Sequence, residues 1–258
     1  MVTTPMLRMA LVVPVIAAMI AACATSPTGR RQLRLVSDAE MAQMGAAAFQ
    51  ELKQKTPPAR NTPATRYVQC VAQAITREVG GEWEVQVFDS KEVNAFALPG
   101  GKIGVYTGLL EVAENQHQLA AVIGHEVAHV LAGHSAARVS NQMAAQLGVA
   151  VLAGSTGMSP DMIGMGANLL LVLPNSRGDE SESDIIGQQI MARAGFDPAQ
   201  AAQLWINMGR DRSGAPPEML STHPSPDTRI RDLNSNLTQA QPLYQQARAA
   251  GKRPNCSS

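Results

Sequence analysis

One stretch constrains this chain more than any other: His125-Glu126-Val127-Ala128-His129, set inside "QLAAVIGHEVAHVLAGH". Apolar residues recur around it at Leu119, Val122, Ile123, Val127, Val130 and Leu131, which is a helical period. On a helix, residues four apart share one face, one turn apart, so both imidazoles can meet a single metal ion. Glu126 is offset by one residue and reaches a water at an open metal position rather than the ion itself. Zinc lowers the pKa of such a water to about 7, and a nearby carboxylate can take its proton. The pattern therefore suits metal-assisted hydrolysis. The flanking residues are small and apolar, so this helix is expected to be buried, and buried polar groups need partners. The rest of the chain has to bring those partners in.

A hydrolytic zinc needs a third protein ligand. His134 lies five residues past His129, and a continuous helix over 115–147 turns it away from the histidine face. It is expected to make a structural hydrogen bond, near Arg138. A metzincin would place its third histidine at position 135 and a helix-breaking glycine at 132, where this chain has Ser135 and Ala132. His117 reads as a solvated residue near the helix start. A better ligand lies in "RGDESESD", where Glu180 and Asp184 are four apart on one face of a second expected helix. In a gluzincin arrangement Glu180 is the ligand, and Asp184 holds the other ring nitrogen of a ligand histidine. Glu182, between them, points elsewhere and reads as a solvated charge.

The remaining chain frames this site. Its 258 residues suit one large domain with extensions, expected as a signal peptide over 1–22, a lipidated N-terminus and tether over 23–36, and a zinc metallopeptidase domain over 37–258. The first part carries Arg8, then an apolar run over 9–22 that is short for a membrane span. Ile20-Ala21-Ala22-Cys23 resembles a bacterial lipobox, which makes Cys23 the expected lipidation site. Cys70 and Cys256 remain, an even pair in a disulfide-permissive compartment; they either bridge or stay as two thiols. Helices are expected over 37–55 and 65–79, a strand in "EWEVQVFD", and a hairpin around Pro99-Gly100-Gly101. The Gly- and Met-rich segment 148–173 reads as two buried helices or as an apolar flap. The 21 basic and 21 acidic residues cancel, and no basic stripe is present, so nucleic acid is not an expected partner. No uncut apolar run after residue 22 reaches spanning length, which disfavours an integral-membrane protease.

Five segments together resemble the HtpX-like and CAAX-prenyl-protease-type zinc metallopeptidases, within them the periplasmic LoiP/YggG- and BepA-type lipoproteins. They are "TGRRQLRLVSDAE", "VFDSKEVNAFALPGGKIGVYTGLL", "QLAAVIGHEVAHVLAGHSAARVS", "SRGDESESDIIGQQIMARAGFDP" and "STHPSPDTRI". The resemblance implies an α+β fold, a mainly helical zincin-like domain with a small antiparallel sheet. It implies one Zn²⁺ per chain on His125, His129 and Glu180, Glu126 as base and Asp184 behind the ligands. It implies a periplasmic protein, lipid-anchored at the outer membrane, that cuts misfolded or mislocalised envelope proteins. His223, in "STHPSP", either donates to the oxyanion or sits on zinc as a reversible fourth ligand; Arg229 is a second candidate donor. A sheet edge beside such a cleft accepts an extended peptide by backbone hydrogen bonds, which nominates Asn94, Ala95 and Phe96 as substrate-binding residues. The longer C-terminal repeat domain of the BepA-type members has no counterpart here, so their assembly partnerships are not carried over. A rival reading is a chaperone or assembly factor whose zinc is mainly structural.

Overall fold

The computed structural model describes residues 23–60, 63–152, 170–171, 174–210, 218–223 and 226–257. The expected signal peptide and most of the Gly- and Met-rich segment lie outside them. Among the described residues the order is β1 (Cys23–Thr25), β2 (Arg31–Leu33), α1 (Asp38–Lys55), α2 (Pro63–Val79), β3 (Glu84–Phe88), β4 (Ala95–Leu98) and β5 (Lys102–Tyr106). Then follow α3 (Leu109–Val112), α4 (Gln116–Leu131), α5 (His134–Leu152), α6 (Arg177–Arg193), α7 (Gln200–Arg210), α8 (Glu218–Thr222) and α9 (Pro226–Ala249). The fold is α+β and mainly helical. No helix among the described residues is long and apolar enough to cross a membrane.

The helix starts are written locally. Ser37 and Glu40 form a capping box at α1, and Ser176 and Asp179 form one at α6. Asn115 caps α4, its side chain accepting from the backbone N–H groups of His117 and Gln118. The helix expected over 115–147 is in fact two. Gly133, at φ +71°, closes α4 and lets α5 begin in a new direction at His134. A glycine in the left-handed region at a helix end satisfies the last carbonyls without steric cost.

The main sheet has the order β3-β5-β4. β4 and β5 form the expected antiparallel hairpin around Gly100 and Gly101, both at positive φ. β3 runs parallel to β5, so the sheet is mixed. The hairpin folds β5 inward and leaves β4 at the edge, beside α4. Residues 23–36, expected as a tether, form the antiparallel hairpin β1–β2 against the body, with Gln32 Nε2 donating to Ala132 O at 2.9 Å.

α4 is the central helix, buried on all sides from Gln118 to His129. α2 packs on it through Tyr67, Val68, Val71, Ala72 and Ile75, a stripe at helical spacing. α6, α7 and α9 cover the other side, and a separate aromatic cluster of Phe49, Phe88, Phe96 and Tyr106 fills the space between α1 and the sheet. Cys70 on α2 is joined to Cys256 by a disulfide that ties the C-terminal tail to the core.

α4 and α6 make the most extensive helix contact, and two glycines set its closeness. A Cβ on Gly187 would lie 2.7 Å from His125 N, and one on Gly124 would lie 2.9 Å from Gly187 O. The backbones touch because neither residue has a side chain. Gly187→Ala is therefore expected to destabilise the protein by about 1–3 kcal/mol, as overpacking does, and to lower its metal content by pushing α6 away from His125. Thermal melting and metal analysis check this; a variant that melts and binds like the wild type would mean the crossing has slack.

Candidate active site

α4 presents His125 and His129 to one point. α6 brings Glu180 there from 51 residues beyond His129, and the end of α8 brings His223. One ligand atom from each of these four residues lies within 4.8 Å of every other, and all four residues are buried. His125 Nε2 is 3.0 Å from His129 Nε2 and 3.2 Å from His223 Nδ1. Glu180 lies 3.4 Å from each α4 histidine Nε2 and 3.0 Å from His223 Nδ1. Four donors around a tetrahedral ion at zinc–nitrogen distances stand about 3.3 Å apart. Three imidazole nitrogens and a carboxylate cannot all pair through the few protons they carry, whereas one cation at their centre satisfies all four. The donor set fits a divalent metal ion.

Charges around the cluster are tuned by burial and by neighbours. Burial works against ionising Glu180, but the positive field of His223 and hydrogen bonds from His125 and His129 outweigh it and hold the carboxyl well below its usual range. Burial pushes His129 well down, toward the neutral form that ligates. His125 is also opposed by burial and by Arg229, yet Asp184 and Glu180 raise it to about 9. Asp184 takes His125 Nδ1 at 3.0 Å, the supporting role expected of it.

Arg229, the second candidate oxyanion donor, lies against the clustered ligands, its Nη2 3.2 Å from His125 Nε2. It is fully buried, forked onto Asp184 at 2.7 and 2.6 Å, paired with Glu180 at 2.8 Å, and stacked 3.5 Å over Trp205. It does not line the cleft. It pairs with both Asp184 and the clustered Glu180.

The cleft itself, of about 260 Å³, is lined by Glu126, His129 and His223 together with Asn94, Ala95, Phe96 and Ala97. Arg138, which sequence reasoning placed only as a neighbour of His134, also lines it and donates to Asn175. Glu126 is buried, and its Oε1 has no hydrogen-bond partner among the described residues; the nearest ion-pair contact is His223 Nε2 at 3.4 Å. Tyr106 N donates to Asn94 O, so the alternation of the antiparallel ladder turns the backbone groups of Ala95 and Ala97 toward the free edge of β4.

His134 makes its expected structural hydrogen bond, but to other partners, and the expectations for Glu182 and His117 change. His134 is buried, and the break at Gly133 swings its ring back so that Nδ1 lies 2.8 Å from His129 Nδ1, while Nε2 lies 3.1 Å from Glu182. Glu182 is not a solvated charge: only 2% exposed, it is bonded by Thr28 and Arg30 from the β1–β2 hairpin. Burial opposes its ionisation, but bonds from Ser26, Thr28 and His134 bring its pKa down to about 2. His117 is half-buried, and its Nδ1 accepts from Asp197 N at 3.1 Å.

The site residues all fall inside one match: residues 58–237 fit the model of peptidase family M48. The chain belongs to peptidase family M48. Among its M48 relatives, the mitochondrial metalloendopeptidase OMA1 of Schizosaccharomyces pombe is 38% identical over 184 residues, covering 69% of this chain and 55% of that protein. The OMA1 of Arabidopsis thaliana is 39% identical over 163 residues, 63% of this chain and 33% of its own length. The beta-barrel assembly-enhancing protease of Yersinia pestis is 30% identical over 224 residues, 80% of this chain and 45% of that protein. The chain thus spans about half the length or less of these M48 relatives. The β1–β2 hairpin precedes the matched M48 region.

Proposed function

We propose that this M48 chain is a zinc-dependent endopeptidase of the bacterial cell envelope, acting on misfolded or mislocalised proteins. The observation that carries the reading is Glu126: a buried carboxylate oxygen without a hydrogen-bond partner, beside a cluster of metal ligands, facing the same cleft as a free strand edge. A purely structural zinc site needs no base and is closed by four ligands.

Zinc held by His125, His129 and Glu180 would lower the pKa of a water and polarise the scissile carbonyl. The chain's own residues do the rest. The edge of β4 takes an extended peptide by backbone hydrogen bonds, which favours unfolded segments of many sequences. Glu126 accepts the proton of the attacking water and passes it to the leaving amine. His223, which lines the same cleft, donates to the developing oxyanion.

The envelope setting is supported by the signal-like N-terminus with Cys23, by the disulfide and by the beta-barrel assembly-enhancing proteases among the relatives. It implies a lipid anchor at Cys23, periplasmic exposure and attachment to the outer membrane. The mitochondrial OMA1 relatives show that the family also serves another compartment.

One observation favours a second reading. His223 Nδ1 stands among the ligand atoms, where it would close the site as a fourth donor and leave a zinc-binding chaperone or a self-blocked protease. The test is cleavage of unfolded casein by the purified protein, before and after chelation and zinc return, alongside His223→Ala. Cleavage that is lost on chelation and restored by zinc supports the protease. An oxyanion role predicts a loss of about 10²–10³ in turnover for His223→Ala; a blocking role predicts a gain. One tightly held zinc with no cleavage by either form would favour the chaperone.

A further inference from the structure

We infer that the β1–β2 hairpin is a positioning part of the metal centre: Thr28 and Arg30 hold Glu182, Glu182 holds His134, and His134 sets the ring of His129. The inference rests on His129 being a metal ligand, as proposed above.

The proton directions follow from one end of the chain of contacts. With His129 Nε2 turned to the ligand cluster, its proton sits on Nδ1. His134 Nδ1, 2.8 Å away, must then be the acceptor, with Ser183 Oγ also near it at 3.3 Å. A neutral His134 carries its own proton on Nε2 and donates it to Glu182 Oε2 at 3.1 Å. Glu182 takes the remaining donors from the hairpin. Thr28 N and Oγ1 reach its Oε1 at 3.1 and 2.5 Å, and Arg30 Nη1 reaches its Oε2 at 2.9 Å. Every donor meets an acceptor, and the order runs one way.

The two α4 ligands are thus backed by parallel devices. His125 rests directly on Asp184, which Arg229 clamps. His129 rests on a carboxylate one residue further away, with His134 inserted, and Arg30 is the clamp. His134 and Glu182 are 1% and 2% exposed, so water cannot stand in for a missing member. A group that hydrogen-bonds the outer nitrogen of a ligand imidazole and fixes its ring is worth about 10–100-fold in metal affinity. The unusual feature here is that the last members come from the hairpin that begins at Cys23, about a hundred residues from His129 in sequence. Displacing that hairpin should be felt at the metal.

The test is zinc affinity of the purified protein, by competition with a chromogenic chelator. The variants are Thr28→Val with Arg30→Ala, His134→Ala, and all three changes together, each beside the melting temperature of its zinc-free form. The hairpin pair is expected to weaken zinc binding about tenfold, and His134→Ala about 10–100-fold. The triple variant should bind no more weakly than His134→Ala alone, because the hairpin acts through that ring. Arg30→Lys, which keeps a charge on Glu182, should recover part of the loss. Unchanged zinc affinity in the hairpin pair, or losses that multiply in the triple variant, would overturn the inference while leaving the metal reading intact. A wild type that retains no zinc would overturn the metal reading and this inference with it. Should His134→Ala not fold, the surface-borne hairpin pair decides alone.

Discussion

Glu126→Gln is expected to lower kcat on an unfolded protein substrate by about 10²–10⁴ while one zinc per chain is retained. The substitution keeps the shape of the side chain and removes its basicity. Glu126 is not among the four clustered ligands, so the metal should stay. The lost proton acceptor includes a buried cleft carboxylate oxygen, Oε1, that has no hydrogen-bond partner among the described residues. A hundredfold loss is about 2.7 kcal/mol of transition-state stabilisation. KM should change little if, as proposed, the edge of β4 rather than Glu126 holds the substrate. Stopped assays on matched, zinc-loaded preparations read this out. Turnover within a factor of a few of wild type would remove Glu126 from the reaction, and loss of zinc in the variant would make it a ligand instead.

The second large effect is structural. Arg229→Met is expected to destabilise the protein by about 3–5 kcal/mol, because breaking a buried ion pair strands the partner charges. Here two carboxylates are stranded, Asp184 and Glu180, both nearly inaccessible to water. In a chain of this size that corresponds to a fall of about 10 °C in Tm. His125 should also lose its fixed support, since Arg229 and His125 share Asp184. Asp184→Asn added to Arg229→Met removes a stranded charge and should recover part of the stability. Calorimetry on the single and double variants checks both claims. A cost below about 1 kcal/mol for the single change would show that the fork on Asp184 is not a clamp.

Much of the site was legible in the sequence because its pairs are local. His125 with His129, and Glu180 with Asp184, are each four residues apart, and a helix converts that spacing into a shared face whatever surrounds it. The caps at Ser37, Asn115 and Ser176 are equally local, since a side chain there reaches only its own first turn. His223 entered through its motif, and the structure places it in the lining of the same cleft as β4. The strand edge nominated for substrate lies on that same cleft.

Other features escaped because spacing says which face a residue occupies, and not what meets that face. Glu182 shares neither the face of Glu180 nor that of Asp184, so solvent was the natural expectation. The other side of α6 is instead met by Thr28 and Arg30, about 150 residues away in the chain. His134 was turned away only as long as the helix was continuous, and one glycine at φ +71° reversed that. Arg229 carries donors that suit an oxyanion, and spacing did not show that the packing of α9 on α6 and α7 pairs it with Asp184 and Glu180. The sequence by itself determined where most of the helices lie and the chemistry each face carries, because those depend on neighbours within one or two turns. The tertiary structure alone decided which faces meet, which charges are removed from water and which carboxylate each imidazole leans on, because burial and charge pairing arise only when distant segments close on one another.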